Sequence, residues 1–154
     1  MKRIHMNLRV RDLDASIAYY TELWGHGPTK RRDDYAKWDL REPAVNFALT
    51  MASEAHPAGV EHLGVEVTEQ SELSEALQRA EGAGSLQVEG RVTCCYADSS
   101  KGWSQDPDGV AWELFLTHGD AEAMHGAAAR PLLAGETETL GCCLPLAEVP
   151  ARCC

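Results

Sequence analysis

The chain reads as an α+β protein built from two βαβββ modules that join into a mixed half-open barrel, followed by a C-terminal tail. Three observations carry this reading. Two strings near the starts of the halves match, His5-Met6-Asn7-Leu8-Arg9-Val10 and His62-Leu63-Gly64-Val65-Glu66-Val67, at a shift of 57 residues (62 − 5). Two strings near their ends also match, Asn46-Phe47-Ala48-Leu49 and Ala111-Trp112-Glu113-Leu114. Between these strings each half shows one helical period and several alternating runs separated by turn signals. The modules are expected at residues 1–52 and 58–118, and the tail at 119–154.

In the first half, Ile4, Met6, Leu8 and Val10 alternate with Arg3, His5, Asn7 and Arg9, which predicts a strand over 3–10 with one apolar face. Asp12 is placed to cap a helix that runs to Trp24 with Leu13, Ile17, Tyr20 and Trp24 as its apolar stripe, and Gly25 ends it. Strands over 35–40 and 45–51 follow, split by the Arg41-Glu42-Pro43 turn. The second half repeats this order. A strand over 60–67 precedes a helix that Thr68 can cap, with Leu73, Leu77 and Ala80 on one side and Gly82 and Gly84 at its end. Strands are expected over 86–95, 103–105 and 110–116, and Asp106-Pro107-Asp108-Gly109 is a strong hairpin signal. Beyond Thr117 the chain turns rich in Ala, Gly and Pro, which suggests a short helix over 121–129 in an otherwise flexible tail.

The 154 residues suffice for one domain, or two small modules sharing a core. A formal net charge of −10 argues against a nucleic-acid surface, which needs concentrated Lys and Arg. The densest basic run, Lys30-Arg31-Arg32, reads as a solvated turn. No apolar run is long enough for a membrane span or a signal peptide, so the expected location is cytoplasmic. All six cysteines stand in adjacent pairs: Cys94-Cys95, Cys142-Cys143 and Cys153-Cys154. Neighbouring Cα atoms about 3.8 Å apart suit a disulfide poorly. As dithiols, such pairs suit soft metals and metalloids.

Strand alternation indicates where the candidate ligands point. In each strand the apolar set faces a helix, so His5 and Asn7, His62 and Gly64, and Glu113 with Ala111 and Phe115 point the other way. If the halves close on each other, His5, His62 and Glu113 meet in one hollow. An ionised carboxylate there is costly unless a cation compensates it. Ala48 is the repeat-mate of Glu113, so the duplicated pattern offers three ligands where it could have offered four. Two imidazoles and one carboxylate with open positions are the donor set of non-haem Fe(II) oxygenases. His26, His56, His118 and His125 fall in predicted turns or the tail and read as solvated. Cys94 and Cys95 lie at a strand end; their thiols converge only if the strand breaks there, as the Asp98-Ser99-Ser100 stretch suggests. Lys101 stands near enough to favour a thiolate.

His5 in Ile-His-Met-Asn, His62 in Glu-His-Leu-Gly, Thr93-Cys94-Cys95-Tyr96-Ala97, Lys101-Gly102-Trp103 and the run from Asp106 to Glu113 together resemble the organoarsenical carbon–arsenic lyases. These belong to the vicinal oxygen chelate (glyoxalase/bleomycin-resistance) superfamily, whose members also include cadmium-induced proteins. The resemblance covers residues 1–118 and implies the vicinal oxygen chelate fold. It further implies that His5, His62 and Glu113 hold Fe(II), and that Cys94 and Cys95 bind a trivalent organoarsenical such as methylarsonite or a reduced aromatic arsenical, with Tyr96 and Lys101 beside them. Dioxygen would be the co-substrate and inorganic arsenite the product. Monomer and homodimer are both open. So is the role of Cys142, Cys143, Cys153 and Cys154, which the core motif does not require.

Three other readings compete. A metalloid- or cadmium-binding protein without turnover would bind stoichiometrically and release no arsenite. A glyoxalase-like isomerase or thiol transferase should need a fourth ligand at position 48. A drug-binding module would need an apolar hollow lined by aromatics and no metal, whereas Trp24, Trp38 and Trp112 are better assigned to packing.

Overall fold

The computed structural model describes residues 2–124. The first module contains β1 (Arg3–Val10), α1 (Leu13–Trp24), β2 (Lys30–Arg31), β3 (Tyr35–Arg41) and β4 (Ala44–Met51). The second contains β5 (Gly59–Val67), α2 (Gln70–Gly82), β6 (Gln87–Cys94), β7 (Ala97–Gln105) and β8 (Ala111–Asp120). All eight strands form one mixed sheet in the order β2-β3-β4-β1-β5-β8-β7-β6. Within each module the first and last strands run parallel, β1 with β4 and β5 with β8, while β1 and β5 join the modules antiparallel. Among the described residues no helix is long and apolar enough to cross a membrane.

The helices form where the apolar spacing places them. The Asp12 carboxylate accepts the Ala15 N–H at 2.9 Å, and Gly25 closes α1 in the left-handed region at φ 75°, where a side chain would be strained. Leu13 and Ile17 are buried against Trp38, Leu40, Phe47 and Leu49, with Tyr20 and Trp24 at the edge of the cluster. A smaller cluster beneath α2 joins Leu73 to Val67 and Leu116. Each such buried aliphatic side chain contributes roughly 1.5–3 kcal/mol. Both clusters lie on the helix-facing side of the sheet, which leaves the polar alternate residues for the inner face.

Several local expectations need correction. Thr68 is not the cap of α2. The cap is Glu69, which makes no side-chain cap bond, while the Glu72 carboxylate accepts the Thr68 N–H at 3.2 Å. The strand does break beside the thiol pair, at Cys95 and Tyr96, but the Asp98-Ser99-Ser100 stretch is not part of that break and pairs on both edges within β7. Lys30 and Arg31 are not a solvated turn but the edge strand β2, paired with β3. Residues 121–124 carry no helix, and the rest of the 121–129 segment lies outside the described residues, as do Cys142, Cys143, Cys153 and Cys154.

Replacing the α1 cap tests this account of the helix. Asp12→Ala should lower unfolding free energy by about 1 kcal/mol, read as a shifted urea midpoint with an unchanged slope.

Candidate metal and dithiol site

The sheet register brings the three candidate ligands together. His5 on β1 pairs with Gly64 on β5, and Gly64 pairs with Glu113 on β8, so Glu113 and His5 flank a residue with no side chain. His62 lies two residues before Gly64, on the same face. The spacing between β5 and β8 depends on that glycine: a Cβ at position 64 would sit 2.5 Å from the Glu113 carbonyl oxygen and 3.2 Å from its Cβ. The register also places the repeat. Asn7 pairs with Ala48 as Gly64 pairs with Glu113, so Ala48 occupies the equivalent position in the first module.

His5 Nε2 lies 3.0 Å from His62 Nε2 and 3.6 Å from Glu113 Oε2, and His62 Nε2 lies 3.4 Å from the same oxygen. Metal bonds of about 2.1 Å place ligand atoms about 3.0 Å apart at right angles and about 3.4 Å apart at tetrahedral angles. The three separations therefore match one face of a coordination sphere, and the set can hold a divalent ion. All three residues are buried. His5 Nδ1 faces the Asn46 carbonyl at 3.0 Å, which requires its proton there and leaves the Nε2 lone pair for the site. Burial lowers the His5 pKa to about 4, with Glu113 opposing and His62 adding to the shift, so the ring is neutral near pH 7. Edge contacts to Phe115 and Trp103 hold the two imidazoles, at centroid distances of 5.2 and 5.1 Å.

The carboxylate has a second partner. Lys101 Nζ donates to Glu113 Oε1 at 2.5 Å, which occupies one oxygen and leaves Oε2 toward the histidines. Burial alone would push the Glu113 carboxyl up, but the Lys101 charge, then His62 and His5, outweigh it and hold the group well below the usual carboxylate range. For Lys101 burial likewise opposes charge, and Glu113 followed by Cys94 and Cys95 keeps the ammonium well above its ordinary value. Tyr35 is pushed well above its ordinary value by burial, then by Cys95 and Glu113, and so presents a neutral phenol.

Cys94 and Cys95 converge because the β6–β7 hairpin turns on Cys95 and Tyr96. Both have positive φ, 55° and 59°, the backbone hand of a tight primed turn. Non-glycine residues pay about 1–2 kcal/mol each for that hand, and surrounding contacts hold them in it. Tyr96 Oη donates to Asp34 at 2.7 Å, its ring meets Tyr35 at 5.7 Å, and Arg32 lies 5.3 Å over it. Lys30 donates to the Tyr96 carbonyl at 2.9 Å and pairs with Asp120. Ala121 N–H donates to the same Tyr96 carbonyl, and Cys95 N–H donates to the Met124 carbonyl. The result sets the two Sγ atoms 3.3 Å apart.

Both clusters line one cavity of ≈ 50 Å³, together with Asn7, Lys30, Tyr35, Asn46 and Ala48. Of the residues expected at the site, His5, His62, Glu113, Cys94, Cys95 and Lys101 line it. Tyr96 stands behind the thiols as part of their turn. The sequence reading passed over Tyr35, Lys30 and Asn46. Alternation could have found Asn46, two residues before Ala48. Nothing local marks Lys30 or Tyr35, which reach the cavity because the ends of the sheet curve toward each other.

The fold is thus a mixed sheet of two βαβββ units with a His–His–Glu set at its centre. The chain belongs to the Glyoxalase/Bleomycin resistance protein/Dioxygenase superfamily, whose family model matches residues 2–114. Within that class it is similar to a trivalent organoarsenical cleaving enzyme of Thermomonospora curvata, 34% identical with both chains covered in full. An enzyme of the same name from Bacillus sp. (strain MD1) is 40% identical over 76% of this chain and 74% of its own. The cadmium-induced protein CadI of Mycobacterium tuberculosis is 31% identical over 93% of each. Among solved structures, methylmalonyl-CoA epimerase from Mycobacterium tuberculosis shares the fold with a TM-score of 0.56 at 20% identity, over 73% of this chain and 85% of its own.

Gly64→Ala tests the register that builds the site. Overpacking between β5 and β8 should cost about 1–3 kcal/mol in chemical denaturation. It should also weaken binding of a divalent ion in calorimetry, because Glu113 moves with its backbone.

Proposed function

We propose that this protein cleaves the carbon–arsenic bond of trivalent organoarsenicals, using Fe(II) held by His5, His62 and Glu113 and consuming dioxygen. The observation that carries this reading is the placement of a dithiol and a two-imidazole, one-carboxylate set on the same small cavity. The names of the relatives that match most of the chain support the substrate class. A bound Fe(II) would supply dioxygen activation, chemistry that this donor set favours by leaving exchangeable positions. The absence of a carboxylate at Ala48 favours it over an isomerase with a fourth protein ligand.

The chain's own groups then have distinct tasks. Cys94 and Cys95 each exchange a thiol for an arsenic-bound hydroxyl. Two S–As bonds form, two As–O bonds break, and two waters leave with no change of oxidation state. The pinned turn keeps both sulfurs ready for one arsenic atom, which lowers the ordering cost of binding. Lys101 favours the thiolates by its charge and orients Glu113 by its hydrogen bond. Tyr35 offers a phenol proton beside both clusters. For methylarsonite the overall reaction balances when one dioxygen converts the methyl carbon to formaldehyde and leaves arsenous acid.

Iron loading without air, followed by methylarsonite and oxygen, tests the reading through arsenic speciation. Arsenite should accumulate beyond one equivalent of protein, and stoichiometric capture without arsenite would sink the proposal. Glu113→Ala should lose iron and turnover together. Cys94→Ser and Cys95→Ser should each lose arsenical binding while keeping iron, measured by metal analysis and ligand titration.

A further inference from the structure

Two buried amides in the same cavity have no task in the account above. Asn7 and Asn46 are 2% and 3% exposed and both line the cavity. Asn7 Nδ2 donates to Glu61 Oε2 at 2.6 Å, and Asn46 Nδ2 donates to Glu66 Oε2 at 3.1 Å. Each carboxylate is itself anchored. Glu61 pairs with Arg9 and accepts from Thr50 Oγ1 at 3.2 Å, while Glu66 pairs with Arg3 at 2.7 Å and accepts from Thr117 Oγ1 at 3.2 Å. An ionised carboxylate only accepts, so turning either amide over would set oxygen against oxygen. Both Oδ1 atoms are therefore fixed as acceptors, and neither has a hydrogen-bond partner of full geometry among the described residues, although the Asn46 side chain also interacts with the His5 imidazole.

Their positions relative to the ligands are specific. Asn7 pairs with His62 on one side and with Ala48 on the other, and Asn46 pairs with His5. Asn46 and Ala48 are two apart on β4 and share its inner face. The two amides thus border the position where the repeat omits a ligand. The equivalent positions of the second module hold Gly64 and Ala111, so the acceptors belong to one side of the centre only. Two of the nearby protein donors are engaged elsewhere, His5 Nδ1 with the Asn46 carbonyl and Lys101 with Glu113. An unsatisfied buried acceptor is costly enough that a donor from outside the chain is expected.

We propose that Asn7 and Asn46 are positioning residues whose Oδ1 atoms accept hydrogen bonds from water or hydroxyl ligands on the ion held by His5, His62 and Glu113. The inference rests on the metal reading and extends it to the exchangeable positions beside Ala48. Dioxygen carries no proton and cannot satisfy either amide. The pair therefore retains water on the ion until another ligand displaces it.

The test uses Mn(II)-loaded protein and NMR relaxation of the water oxygen nucleus, which reads the exchange rate of metal-bound water without turnover. Asn7→Leu and Asn46→Leu, which keep nearly the same shape, should each speed that exchange about fivefold. Thr50→Val perturbs Glu61 from behind Asn7 without removing an acceptor, and it should leave the rate as it was. Wild-type exchange in both leucine variants, or an equal rise with Thr50→Val, overturns the assignment. Mn(II) binding that survives Glu113→Ala overturns the metal reading instead, so the two failures are distinct.

Discussion

The burial of the Glu113 carboxylate constrains everything around it. A carboxylate 5% exposed in a domain of this size is tolerable only where opposite charge and hydrogen bonds replace water. The protein meets that demand asymmetrically. Lys101 takes one oxygen, and the other is turned to two imidazoles whose separations from it and from each other suit a shared cation. Without Gly64 the backbone that carries Glu113 could not come so close to β5. The charge, the glycine and the histidines form one unit.

Duplication explains why this unit can sit at the centre of the sheet. Antiparallel pairing of β1 with β5 brings equivalent strands of the two modules side by side, so His5 and His62 meet across the join. Duplication alone would produce a symmetric site. The differences between the copies make it directional: Glu113 against Ala48, and Asn7 and Asn46 against Gly64 and Ala111. One side supplies charge and the other supplies neutral acceptors and space.

The dithiol turn shows a second kind of constraint. Left-handed backbone at two consecutive non-glycine residues is held by a tilted ring contact, a cation over that ring, and hydrogen bonds with β2 and with the residues after β8. Segments distant in the chain thus combine to aim two thiols. Residues 119–124, read as the start of the tail, take part in this through Asp120, Ala121 and Met124.

Much of the architecture was legible before any coordinates, because period and repeat are local properties. Alternation at Ile4, Met6 and Leu8 assigned an inner face to His5, and the matched strings paired it with His62 and Glu113. The apolar stripe of α1 and its Asp12 cap were likewise readable from spacing. Lys30 reads as a turn residue and Asp98-Ser99-Ser100 as a loop, yet both pair as strands, because pairing with distant strands outweighs weak strand propensity. The orphaned amide oxygens, the Lys101–Glu113 contact and the gathering of Tyr35 and Lys30 at the thiols were decided by tertiary structure alone. Chain order carries the identity and facing of a side chain. Which groups share a cavity, and which buried atoms lack a partner, depends on how the sheet curves and closes.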